Sequence, residues 1–119
     1  MIPNLASTLL GFVVQIHVFH WLTSSYSQHK ALGKLYENIH EMADEFVEKY
    51  MGKYGKNIGT SSASVITYNS EDLMEVLNSF EQFLIGLTSE LTQLDTDLLN
   101  VRDDMLGELH RAKYLLTLD

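Results

Sequence analysis

Apolar residues recur along this chain at steps of three and four, in four blocks. Across residues 28–53 they fall at Leu32, Leu35, Tyr36, Ile39, Met42, Ala43, Phe46, Val47, Tyr50 and Met51. That spacing is one stripe of an amphipathic helix, and Lys30, Lys34, Glu37, Asn38, Glu41, Glu45 and Lys49 lie largely outside it. Gly52 and Gly55 end this helix. Residues 70–92 repeat the pattern through Leu73, Val76, Leu77, Phe80, Phe83, Leu84, Leu87 and Leu91. Residues 95–117 do so through Leu98, Val101, Met105, Leu109, Ala112 and Leu116. Asn69 or Ser70 can cap the third helix and Asp95 or Thr96 the fourth. Glu71 and Asp72 suit the positive end of the third helix's dipole. No glycine or proline separates these two blocks, but a single helix over residues 70–117 would leave the chain without a core, so a break is expected there.

The first block, residues 4–24, differs. Asn4 is its expected N-cap, just after Pro3. Its apolar residues, from Leu5 and Leu9 through Val13, Val14 and Val18 to Trp21 and Leu22, cover nearly the whole circumference. A helix that is apolar all round must be covered on both sides. One side can face its own bundle, and the other then needs a second chain. The run is about long enough for a short membrane span. Gln15, His17 and His20 interrupt it, however, and the first Lys or Arg is Lys30, so the basic start of a signal peptide is missing. The expectation is a buried core helix with no membrane partner.

Residues 55–69 are small, polar and glycine-containing, too long for a tight turn between helices. Fifteen extended residues reach roughly 50 Å, more than the roughly 39 Å length of the second helix. They can therefore run back along the bundle and make the second and third helices parallel. Four helices in two hairpins joined by such a loop are the ferritin-like form of the all-α four-helix bundle, here one domain over residues 1–119.

Charge narrows the partners. Sixteen acidic residues against eight basic give a net charge of -8. This disfavours nucleic acid, whose phosphates require clustered Lys and Arg, and it attracts cations. The absence of cysteine excludes disulfides and thiolate metal sites and fits a cytoplasmic protein.

The chemistry concentrates between His17 and Glu48, which holds four of the five histidines and the only tryptophan. His17 and His20 share a helix face. His29 opens the second helix across the turn Ser24-Ser25-Tyr26-Ser27, which brings it level with His20. Imidazole from two helices is a good ligand pair for iron or zinc. Asp44 and Glu48, one turn apart, can hold hard cations. Glu37 and His40 have the Glu-x-x-His spacing of di-iron bundles, but no second copy exists on another helix. The plain alternatives are rim histidines and a solvated acidic face. Asp44 lies fifteen residues after His29, about 22 Å along a helix. The two pairs can share an ion only if two chains meet antiparallel about a two-fold axis, which makes two equal sites.

His20-Trp21, a histidine at the start of the next helix, and Asp44-x-x-x-Glu48 together resemble the DNA-starvation miniferritins, the Dps-like proteins. The runs QIHVFHW and MADEFVEKYMGKYG are similar to theirs as well, so the resemblance covers residues 15–55. It implies an iron-oxidation centre between two-fold-related subunits, with His20, His29, Asp44 and Glu48 as ligands and Trp21 beside them. It implies iron storage in a larger shell, with peroxide as the preferred oxidant. The chain departs from that family in a shorter segment between His20-Trp21 and His29, in lacking the small helix within the crossover, and in an N-terminal MIPNLAS without the family's basic DNA-binding tail. The run RDDMLGELHRAKYLLTLD weakly resembles small uncharacterised proteins of tailed phages.

The expected protein is thus a homo-oligomer, at least a dimer, that binds iron, or alternatively zinc or manganese, and is a candidate ferroxidase. The alternative is a helical interaction or assembly protein that keeps the fold without the metal. No nucleotide loop or nucleophile triad points to other enzyme classes.

Overall fold

Serine sets the first turn. The Ser25 hydroxyl accepts a hydrogen bond from the backbone N–H of Gln28 at 3.3 Å, so the second helix starts at Tyr26, two residues before the expected Gln28. In the computed structural model, which describes residues 2–60 and 69–118, the helices are α1 (Leu5–Leu22), α2 (Tyr26–Tyr54), α3 (Ser70–Glu90) and α4 (Thr96–Leu115). All secondary structure among the described residues is helical. The break expected between the last two blocks is present, with Leu91 in extended backbone.

Two of the expected caps act differently. Asn4 stands at the N-cap of α1, but in the left-handed region at φ 51°, with no capping bond from its side chain. The orphan N–H groups of Ala6 and Ser7 instead donate to the carbonyls of Ile58 at 2.8 Å and Gly59 at 3.4 Å. Gly59 has φ +67°, and a β-carbon there would stand 2.7 Å from the Asn4 nitrogen, so only glycine fits the approach. Asp95 precedes α4 without capping it. Asn69 does cap α3, accepting from Glu71 N–H at 3.0 Å.

Hydrogen bonds between helices fix their directions. Ile2 N–H donates to the Tyr50 hydroxyl at 3.2 Å, while His20 and His29 meet at the opposite end, so α1 and α2 are antiparallel. Asn38 bonds Glu108, and Lys53 bonds Asp97, making α2 and α4 antiparallel. Arg102 Nη1 donates to Leu84 O at 2.9 Å and Lys113 Nζ to Asn78 at 2.7 Å, making α3 and α4 antiparallel as well. It follows that α2 and α3 run the same way. Packing agrees, since α1 lies against α2 and α3, and α4 against α2 and α3. The long crossover expected over residues 55–69 falls mostly on residues 61–68, which lie outside the described residues.

Phe19, Phe46 and Phe80 are the largest fully buried side chains. Burying each stabilises the fold by roughly 1.5–3 kcal/mol. Phe12 of α1 stacks on Phe80 of α3, ring centres 4.6 Å apart and 3° from parallel. By length and composition α1 is the one helix among the described residues that could cross a membrane. Its inner stripe of Leu5, Leu9, Val13, Ile16 and Phe19 lies in the core. Its outer stripe does not: Leu10 is 56% exposed, Val14 44% and Trp21 64%. The all-round apolar pattern therefore leaves one face uncovered in a single chain.

Candidate metal centre

His20 sits on the last turn of α1 and His29 on the first turn of α2, and the tight turn at Thr23–Ser25 folds one ring over the other. The rings stack with centres 3.9 Å apart and planes 16° apart. Each also bonds the other's backbone. His20 Nδ1 donates to His29 O, and His29 Nδ1 donates to His20 O, both at 2.7 Å. A carbonyl only accepts, so each Nδ1 carries the hydrogen and the neutral ring keeps its lone pair on Nε2. Such a backbone bond is how proteins fix the tautomer of a metal-binding histidine.

Gly33 makes this possible. A β-carbon on Gly33 would lie 2.7 Å from His20 Cε1 and 3.0 Å from its Nδ1. The imidazole rests against bare helix backbone. The signal in the sequence is a glycine one turn after His29, well inside the helix, where propensity disfavours it.

The other histidines are placed differently. His17 stacks on Tyr36 at 3.7 Å and 14°, with Trp21 4.0 Å away, and its ring centre is 6.2 Å from that of His20. Burial, then the neighbouring His20 and His40, lowers its pKa, which keeps it neutral at physiological pH. His40 and Glu37 are exposed on α2.

Asp44 and Glu48 are exposed on the same helix, beside Glu41 and Glu45 in an acidic depression. The structure does not bring them to the histidines. Among the described residues no three His, Asp or Glu side chains converge as a ligand set within one chain. Lys30, Lys34 and Glu37 share an open depression of about 450 Å³ with the histidine pair. The outer face of α2 thus runs from basic near its start to acidic near its middle.

Residues 20–116, a span that contains both histidines and both carboxylates, match the family of unknown function DUF5856. The chain belongs to that family. This DUF5856 member is 26% identical over 121 residues to an uncharacterised 14.6 kDa protein from the mobD-ri intergenic region of Enterobacteria phage T4, an alignment covering 98% of this chain and 91% of that protein. Neither description names a metal, an activity or a partner. No solved structure matches the DUF5856 chain.

Proposed function

We propose that this protein is a ferritin-like, Dps-like bundle that pairs about a two-fold axis and binds divalent metal between the two chains. The observation that carries this reading is the histidine pair, both Nδ1 atoms tied to backbone and the Nε2 lone pairs left as the remaining acceptors. His20 and His29 of one copy supply nitrogen, and Asp44 and Glu48 of the other supply oxygen. This mixed set suits Fe(II), and also Zn(II) or Mn(II). Fe(II) would be a substrate to be oxidised, with the protein as its ligand cage. The parallel run of α2 and α3 supports the ferritin-like topology, and the uncovered stripe of α1 supports self-association. The phage T4 relative supports action in the cytoplasm of a bacterial host.

The same uncovered stripe supports a second reading, an assembly protein that pairs through α1 without metal. One experiment separates the two. Make His20→Ala with His29→Ala in one variant and Asp44→Ala with Glu48→Ala in another. Each alone loses tight metal binding, because half the ligands are gone. Unfolded together and refolded as a mixture, about half the dimers are mixed, and each mixed dimer rebuilds one of its two sites. Binding returns to roughly a quarter of the wild-type stoichiometry. No recovery from well-folded mixed dimers sinks the intersubunit site, and wild-type dimers that never bind metal favour the assembly reading.

A further inference from the structure

Between α1 and α2, at the end away from the histidine pair, lies an apolar groove of about 180 Å³. Ala6, Leu9 and Val13 line it from α1 and Ala43 and Val47 from α2, with the exposed side chains of Asp44 and His40 beside them. Ala6 and Ala43 are the small residues on its two walls. An apolar cavity of about 150 Å³ is enough to admit benzene, so a groove of about 180 Å³ is of the size of an aromatic ring.

Trp21 is the chain's only tryptophan and is 64% exposed. It cannot reach its own groove. It lies eight residues beyond Val13, the nearest lining residue of the same helix, about 12 Å away. A second copy can reach it. Trp21 neighbours His20, and Asp44 lies beside the groove. A two-fold pairing that brings His20 of one copy to Asp44 of another sets Trp21 within range of the other copy's groove, twice per dimer.

Charge selects the same orientation. Lys30 and Lys34 outnumber Glu37 near the start of α2, and Glu41, Asp44, Glu45 and Glu48 outnumber Lys49 further along. Antiparallel copies set the basic end of each against the acidic end of the other, whereas parallel copies oppose like charges. The acidic residues beside the groove also repel an anionic bilayer, the other surface that an exposed tryptophan suits.

We propose that Trp21 of each copy seats in the Ala6–Ala43–Val47 groove of a second copy and is the principal anchor of a two-fold dimer. The proposal rests on the pairing put forward above, but it does not require metal. A buried tryptophan at the centre of a small interface is the usual energetic anchor.

The test uses the full chain with chelator present, so that metal cannot drive association. Emission from the lone tryptophan and its quenching by acrylamide are followed against protein concentration, with mass read by sedimentation equilibrium. The expected result is a blue-shifted, protected emission that appears as the dimer forms and reverts on dilution. Trp21→Ala should weaken self-association roughly thirtyfold or more. Val47→Phe fills the groove from within, and it should both break the dimer and return Trp21 to a water-like emission. Circular dichroism checks that each variant folds. Mixing Val47→Phe with Trp21→Ala restores one seat of two, and the mixed dimer should form more tightly than either variant alone. A dimer whose Trp21 stays quenchable overturns the seat and leaves the two-fold pairing standing. A monomer at high micromolar concentration overturns both. A blue shift that appears only with phosphatidylcholine vesicles overturns the seat in favour of a bilayer.

Discussion

The ring of His20 lies directly over Gly33, where an added β-carbon would come within 2.7 Å of its Cε1. Glycine inside a helix costs about 1 kcal/mol relative to alanine, so Gly33→Ala should favour the helix locally while pushing the imidazole away. The expected outcome is a folded protein whose affinity for Zn(II), a redox-silent stand-in for Fe(II), falls roughly tenfold or more. Gly52 is the control. It has nothing within 4 Å of an added β-carbon, so Gly52→Ala should stabilise the fold by about 0.5–1 kcal/mol and leave metal affinity unchanged. Calorimetric titration of both variants checks the contrast, and wild-type affinity in Gly33→Ala counts against the seat.

Acid should loosen the junction of the two hairpins. Asp95 is 1% exposed. Its carboxylate accepts from Lys53 Nζ at 2.7 Å, the Tyr54 hydroxyl at 2.5 Å and Thr92 N–H at 2.8 Å. The bond from Lys53, then those from Thr92 and Tyr54, holds its pKa well below the usual carboxylate range. A depressed folded-state pKa means the unfolded chain takes up the proton first. The contribution is complete at neutral pH, begins to fade as pH falls to about 4, and is lost as pH drops further through the folded value. Glu81 is lowered in the same direction, first by its bond from Lys113 and then by His110. Asp95→Asn should lower Tm at pH 7 by roughly 5 °C or more, and it should flatten the acid limb of a Tm-against-pH series run from pH 7 to 2.5.

Phe80→Ala should be among the most damaging core changes. Phe80 is fully buried and carries the ring stack that joins α1 to α3. Its loss should cost about 3–5 kcal/mol in a urea titration. Phe12 lies on the same stack but is only half-buried, so Phe12→Ala should cost less. Equal costs would mean that the contact, rather than burial, dominates.

Duplex DNA should not bind at about 0.15 M salt. The chain carries eight basic against sixteen acidic residues, and counterion release requires clustered cations. A gel shift at micromolar protein that weakens with added salt would count against this expectation.

The helix stripes were legible because burial follows period. Leu73, Leu77, Phe80, Leu84 and Leu87 are all buried at the steps their spacing indicated. The meeting of His20 and His29 was legible because a short turn leaves little freedom. The role of Gly33 was not, since a helical glycine announces only a weak propensity penalty and says nothing about what rests on it. Asp95 is one of two caps the sequence offers for the fourth helix, with Thr96, yet Lys53 and Tyr54, both far off in sequence, take its carboxylate instead. Asn4 failed as a side-chain cap for a related reason, because carbonyls from residues 58 and 59 already serve the first turn. Asp44 and Glu48 stay apart from the histidines, as their offset of fifteen residues from His29 along one helix requires.

That borrowed cap also sets an order on synthesis. The N–H groups of Ala6 and Ser7 find their acceptors in Ile58 and Gly59, about fifty residues later. As the chain leaves the ribosome, the first helix comes out with an unfinished end. It stays unfinished until the whole second helix and its tail have followed. The first turn of α1 is thus closed off only once residues 58 and 59 have been added.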